Sequence, residues 1–293
     1  MKNKSIKKQR GLKSAKIVVF ILLTIYSLSL FYPLLWAFLS SLKDQVEYST
    51  YNINGLPQKW LFSNYAKAFK SLRVDVSWKE SGVGMFGLFF NSLWFSILGP
   101  VLGLSVSAMS AYAVAKYKFP GRNFIYSLVL VVMMIPIVGS LPSQYRIYTA
   151  LGIINTPFYM VVFMGGLGFN FLILYGYFKN LPWSYAEAAF IDGASHWEVF
   201  LKVMMPQAVP LFTALGSLAL INCWNDYTSP LLFLKDYPTL SSGLYILRME
   251  KERMLDMPVL YAGILMSAVP VIILFSLFSD KIMDISLGGG LKG

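Results

Sequence analysis

Side chains able to carry out chemistry are sparse in this chain and do not cluster. His196 is its only histidine and Cys223 its only cysteine, which leaves no basis for a histidine-built metal site, a catalytic triad or an intramolecular disulfide. Nothing matches Gly-x-x-x-x-Gly-Lys-Ser/Thr, the loop whose amides cradle phosphates. The acids in an informative pattern are Glu187, in Ser184-x-x-Glu187, and Asp192, in Asp192-Gly193, within a segment from Leu181 to Pro206. The chemistry open to Glu187 is the capping of backbone amides, and Asp192-Gly193 is a helix end. A second polar set, Asn91, Asn225 and Asp226, lies within or at the rim of apolar stretches. Polar groups in such surroundings are costly and raise a functional hypothesis. Lining a solute path and structural hydrogen bonding both account for them, because Asp226 stands beside Trp224 and Tyr227, where a membrane-interface position is cheap.

The elements that must position these groups are membrane helices. Apolar residues make up 56% of the 293 and charged residues 13%, against roughly 25% charged in an ordinary soluble domain. Six uncharged windows run from Ile17 to Leu42, Ser81 to Ala115, Asn123 to Tyr145, Ile147 to Phe178, Val203 to Asn225 and Met257 to Ser279. Each exceeds the ~20 residues that carry a helix across a bilayer. Lipid leaves backbone groups no outside partner, and no alternating ten-residue pattern suggests a barrel, so the expected fold is all-α with six transmembrane helices. The domain plan is a basic N-terminus over residues 1–16, a membrane domain over 17–283 and a tail over 284–293.

Seven basic residues and no acid precede the first window. By the positive-inside rule this end stays in the cytoplasm, and the apolar run is too long for a signal-peptide core. Counting spans then puts residues 43–80 outside, Lys116 to Arg122 inside, the region of Arg146 outside, Lys179 to Lys202 inside and Lys235 to Asp256 outside, with the C-terminus cytoplasmic. The net charge of +11 is dispersed over loops apart from the N-terminal cluster, which fits anionic lipid headgroups better than nucleic acid. In the first outer loop, Ser63 or Asn64 is expected to cap a short interfacial helix with Tyr65, Ala66 and Phe69 on one side. That helix either contacts a partner outside the membrane or lies on the membrane surface. Met134 to Pro142 holds two prolines and a glycine, so the third span is expected to break there, as a packing kink or against a cavity.

The segment 181–206 is a mixed-polarity island between two long apolar stretches. Pro182 suits a first helical position, and Ser184-x-x-Glu187 reads as a capping box. Ala188 and Ala189 keep one face thin enough for another surface to approach, with Phe190 and Ile191 as apolar anchors. Asp192-Gly193 ends the helix, glycine adopting a left-handed conformation. A second helix follows from about Ser195 to Met205, and Pro206 marks the start of the next span.

Glu187-Ala188-Ala189, Asp192-Gly193 and the helix to Pro206, placed between the fourth and fifth spans, together resemble the cytoplasmic EAA loop of ABC-importer permeases. The carbohydrate-importer branch, of maltose type, is the similar one. The likeness extends to Phe90-Asn91-Ser92, Lys118 to Arg122, Trp224 to Tyr227 and the Gly-rich end at Gly288 to Gly293, and so covers nearly the whole chain. Val203 and Met205 depart from the family's usual Ile and Leu but keep similar apolar bulk.

The resemblance implies a type I ABC-importer permease fold in the bacterial cytoplasmic membrane. It also implies a first loop helix that docks on a separate ATPase through Glu187, Ala188, Ala189, Asp192, Gly193 and Pro206. Implied partners are a second permease subunit, two ATPase subunits that bind the ATP, an extracytoplasmic solute-binding protein and a carbohydrate substrate. This chain would hold no cofactor or metal and would not be an enzyme. A permease for another small polar solute is the nearest alternative. A secondary transporter would need deep ion-coupling carboxylates or inverted repeats, neither of which is visible.

Overall fold

A computed structural model describes residues 2–135, 139–163, 167–250 and 256–288, without the side chains of 2–15, 162–163, 250, 274 and 278–288. The elements in chain order are α1 (Lys2–Ser41), α2 (Ser63–Ser71), β1 (Arg73–Val76), β2 (Lys79–Gly84), α3 (Met85–Lys116), α4 (Arg122–Met134), α5 (Leu141–Ala150) and α6 (Tyr159–Phe163). After these come α7 (Phe169–Asn180), α8 (Ser184–Ile191), α9 (His196–Glu198), α10 (Met205–Asn225), α11 (Thr228–Phe233), α12 (Leu240–Glu250) and α13 (Met257–Gly288). Two π-helical turns, Glu47–Tyr51 and Val199–Met204, interrupt the α-helical pattern.

Among the described residues, four helical stretches are long and apolar enough to cross a membrane: Lys16–Ser41, Met85–Lys116, His196–Asn225 and Met257–Leu277, with Arg122–Met134 a shorter apolar helix. The second window therefore starts four residues later than its uncharged composition implied. Ser81 to Gly84 carries no charge, yet it pairs in β2 with β1, Val74 opposite Val83 and Arg73 opposite Gly84. Gly82 holds φ +67°, and a Cβ there would meet the Val74 carbonyl oxygen at 2.8 Å, so the bulged hairpin requires glycine. The third window does break: α4 stops at Met134 and α5 starts at Leu141, with Gly139 at φ +74°. Pro136 lies outside the described residues, as do residues 289–293 of the expected tail. The fourth window is likewise divided, between the end of α5, α6 and α7.

The chain forms two compact units, residues 1–71 with 251–266 and residues 72–250 with 267–293. In the first, the apolar side chains of α1 from Ile17 to Leu35 are exposed, as a lipid-facing helix requires. Its C-terminus is closed by Asn64, whose Nδ2 donates to the carbonyls of Ser41 (2.9 Å) and Lys43 (2.8 Å). The α2 helix is thus present with a different buried face. Asn64 and Ala68 are inside and Phe69 is half exposed, with the Asn64 side chain turned toward the end of α1. Lys43 is buried and donates to the carbonyls of Asn52 (2.6 Å) and Ile53 (3.0 Å). Removal from water pulls its pKa below the ordinary lysine value, and Glu47 nearby partly restores it.

In the second unit α3 packs against α7 and α10. Leu104, Ala108, Ala111, Tyr112, Phe171, Leu174, Phe178, Met204 and Ala208 form its core, joined by Ala186 of α8 and by Val199 and Phe200 of the second π turn. Alanines at 108, 111 and 208 let the helix axes approach closely, as membrane helices without a strong hydrophobic drive need.

Candidate functional site

The segment 181–206 folds as a short helix, a tight turn and a second helix. Its start differs from the expected capping box. Trp183, not Ser184, is the N-cap of α8, and its carbonyl accepts from the amides of Ala186 (2.9 Å) and Glu187 (3.1 Å). With the Glu187 amide already committed, Ser184 has no open donor to cap. The box forms one motif later, on the second Ser-x-x-Glu of the same segment. Ser195 Oγ accepts from the Glu198 amide at 3.3 Å, and Glu198 Oε2 accepts from the Ser195 amide at 3.0 Å. Lys202 Nζ donates to the remaining Glu198 oxygen at 3.0 Å.

The far end of α8 follows its sequence closely. Gly193 has φ +85°, its amide donates to the Phe190 carbonyl (3.1 Å), and the Ala194 amide donates to the Ala189 carbonyl (3.0 Å). This paired closure satisfies the last carbonyls of the helix and needs a residue at ease in the left-handed region. An added Cβ on Gly193 would meet nothing within 4 Å, so glycine is required there for its backbone alone.

α8 presents two contrasting faces. Ala186 is fully buried, and Ala189 and Phe190 pack against the core. Tyr185, Glu187, Ala188, Ile191 and Asp192 face outward, Ile191 with 86% of its surface exposed. Of the two expected apolar anchors, Phe190 packs on His196, ring centroids 4.8 Å apart, and against the core, while Ile191 is open. Burying one isoleucine is worth about 1.5–3 kcal/mol, which Ile191 does not gain within this chain.

The second helix continues into the next span without a boundary, since His196–Asn225 is one helical run. In the π turn the Met205 amide reaches the Phe200 carbonyl, five residues back. That widening lies immediately before Pro206, whose ring would crowd the carbonyl four residues earlier in a regular helix. Pro206 therefore sits in the first turn of α10 rather than on the face of α8 with Glu187, Ala188, Asp192 and Gly193.

Each member of the second polar set makes a hydrogen bond within the chain. Asn91 is half-buried; its Nδ2 donates to the Pro238 carbonyl (2.9 Å) and its Oδ1 accepts from Trp94 Nε1 (3.2 Å). Asp226 ends α10 and its Oδ1 accepts from the Ser229 amide at 3.0 Å. Asn225 is exposed and donates to the Ile221 carbonyl of its own helix. Two of the three thus hold neighbouring segments in place.

Sequence reasoning missed a latch around Asp236. Its carboxylate accepts from the Ser77 amide (2.9 Å), the Ser77 hydroxyl (2.5 Å) and Asn155 Nδ2 (2.5 Å), while its amide donates to Asn155 Oδ1 (2.7 Å). The Trp78 indole donates to the Asp236 carbonyl at 3.0 Å. Asn155 holds φ +61°. The Ser77 hydroxyl, then its amide, keep the Asp236 carboxyl below the usual aspartate value. A lone Asp in a polar stretch gives no sign of partners 81 and 159 residues away.

Span-length apolar helices joined by a compact helical turn define a membrane-embedded protein. Residues 99–286 match the sequence model of the binding-protein-dependent transport system inner membrane component, and the chain belongs to that family, a family of transport components rather than enzymes. It is 29% identical over 265 residues to the diacetylchitobiose uptake system permease protein of Streptomyces coelicolor, covering 89% of this chain and 84% of that one. It is 31% identical over 268 residues to the arabinooligosaccharides transport system permease protein of Halalkalibacterium halodurans, covering 89% and 91%. Its fold matches a chain of a bacterial ABC transporter involved in the import of the acidic polysaccharide alginate. The TM-score is 0.74 at 23% identity, over 90% of this chain and 95% of that one.

Proposed function

We propose that this chain is a permease subunit of an ATP-driven importer that carries a sugar or oligosaccharide across the bacterial cytoplasmic membrane. It works with a second permease subunit, two ATPase subunits that bind and hydrolyse ATP, and an extracytoplasmic solute-binding protein. The observation that carries the reading is α8: a capped, two-faced helix whose inner face is locked into the core and whose outer face offers Tyr185, Ala188 and Ile191 to a partner. The family's dependence on a binding protein and the saccharides in its relatives' names support the choice of substrate class.

In this reading α8 is the coupling helix. Glu187, Ala188 and Asp192 lie on the docking face, Ala189 and Gly193 fix the helix against its turn, and Pro206 sets the wide turn into α10. The N-terminus and the 181–206 loop are cytoplasmic, the tail extends from α13 on the same side, and the hairpin lies outside. Asn225 is the member of the second polar set free to face a solute, with Asn91 and Asp226 holding the segments beside it.

Deleting the gene in its host and measuring uptake of a panel of labelled oligosaccharides tests the proposal. Loss of uptake of at least one saccharide, restored by the intact gene, is expected. Unchanged uptake of every saccharide together with loss of an amino acid or another solute would overturn the substrate class.

A further inference from the structure

One aromatic ring is gripped from both ends of α8. Tyr117 caps the C-terminus of α3, its amide donating to the Ala113 carbonyl. Trp183, the N-cap of α8, meets the Tyr117 ring edge-on at 6.0 Å between centroids. His196, just beyond the Gly193 turn, meets the same ring at 5.5 Å, and its Nδ1 lies 2.9 Å from the Tyr117 hydroxyl. Phe190 closes the set, 6.0 Å from Trp183 and 4.8 Å from His196. Beside it, Lys116 Nζ donates to the Leu181 carbonyl.

The other side of Tyr117 leads into the membrane core. Its ring packs at 5.6 Å on Tyr112 of α3, which in turn contacts Phe178 of α7 at 5.5 Å and Phe200 of the π turn at 4.9 Å. Edge-on aromatic pairs are favourable beyond the area they bury, so they tie the rings at the two ends of α8 to that of Tyr117. Ala186, Ala189 and Phe190 seat α8 against the core beside the π turn at Val199–Met204, and the ring set around Tyr117 is its aromatic contact with the C-cap of α3.

We propose that Tyr117 is the strut through which the coupling helix moves α3, with His196 as the residue that positions it. Tyr117 does not touch solute or nucleotide. The inference rests on α8 being the coupling helix.

The test uses the complete transporter, this chain with its partner permease, ATPases and binding protein, reconstituted in liposomes, and reads saccharide imported per ATP hydrolysed. Tyr117→Leu, which removes the ring contacts, is expected to lower that ratio about fivefold or more, the scale of one hydrogen bond plus ring packing. Tyr117→Phe, which keeps the ring and folds alike, is expected to give a smaller drop. His196→Ala should lower the ratio, and adding Tyr117→Phe to it should cost nothing further, because the two side chains share one contact. His196→Asn, whose amide keeps a hydrogen-bonding group near the place of Nδ1, should restore much of the loss. A packing role alone would reduce the amount of assembled complex and leave the ratio intact. An unchanged ratio in Tyr117→Phe and His196→Ala complexes, or additive losses in the double variant, overturns the strut. Gly193→Val separates the two ideas: if it uncouples while the Tyr117 variants do not, only the strut fails, and if none uncouples, α8 is not the coupling helix.

Discussion

At the scale of single residues, Gly193 carries the sharpest consequence. Its φ of +85° with open space around a would-be Cβ means that substitution is penalised through the backbone and not through a clash. For a branched residue the left-handed region costs about 1–2 kcal/mol, enough to unwind the last turn of an eight-residue helix. Gly193→Val is therefore expected to tilt α8, to lower solute uptake several-fold and to abolish the rise in ATP hydrolysis that loaded binding protein elicits. Insertion should survive, since the residue lies outside the spans. Gly193→Asn should retain most of the function, because asparagine tolerates the left-handed region better than valine. The check is transport and ATPase activity at matched membrane abundance. Normal transport by Gly193→Val at normal abundance would contradict the coupling role.

At the scale of elements, the β1–β2 hairpin depends on one charged group. Asp236 holds its turn through Ser77, and the carboxyl is kept below the ordinary aspartate value of 3.8 by those bonds. A depressed carboxylate adds stability that is complete above the unfolded value and is lost as pH falls through the lower, folded one. Asp236→Asn mimics the protonated acid. The difference in melting temperature between the intact chain and Asp236→Asn should therefore stay constant from about pH 8 to about pH 5 and close only below the ordinary value. A difference that changes within that range would mean that another group governs the latch. This hairpin also shows where the sequence ceased to be legible. Ser81 to Gly84 is uncharged and merged with the apolar run of α3, because hydropathy does not register strand pairing with Arg73–Val76. The same limit applied to the capping box: Ser184-x-x-Glu187 and Ser195-x-x-Glu198 are identical patterns, and only the prior commitment of the Glu187 amide decides between them. By contrast, Asp192-Gly193 was readable because a left-handed end is a local property. The apolar windows were readable because membrane helices need length and little else, although Gly139 and the turn after α5 divided two of them. Tyr117 and His196 are 79 residues apart, and no local pattern pairs them.

At the scale of the whole molecule, the chain cannot by itself be a machine. The apolar side chains of α1 from Ile17 to Leu35 are exposed, and Ile191 and Tyr185 are open on α8, so lipid and other subunits must supply what this chain does not bury. Energy supply follows the same division. No Gly-x-x-x-x-Gly-Lys-Ser/Thr stretch, the loop whose amides and lysine cradle phosphates in P-loop ATPases, occurs in the sequence, and the family is one of transport components. The purified, partner-free chain is therefore expected to hydrolyse ATP no faster than a mock preparation. Binding gives an independent check. A ligand at 100 times its dissociation constant stabilises the folded state by about 2.7 kcal/mol, a shift of several degrees that a melting experiment in detergent detects. Magnesium-ATP should leave the melting temperature of the isolated chain unchanged, whereas adding the ATPase subunits should confer both nucleotide-dependent stabilisation and turnover. ATP hydrolysis or a nucleotide-dependent shift in the partner-free chain would place the energy source inside this subunit and refute the division of labour that the coupling helix implies.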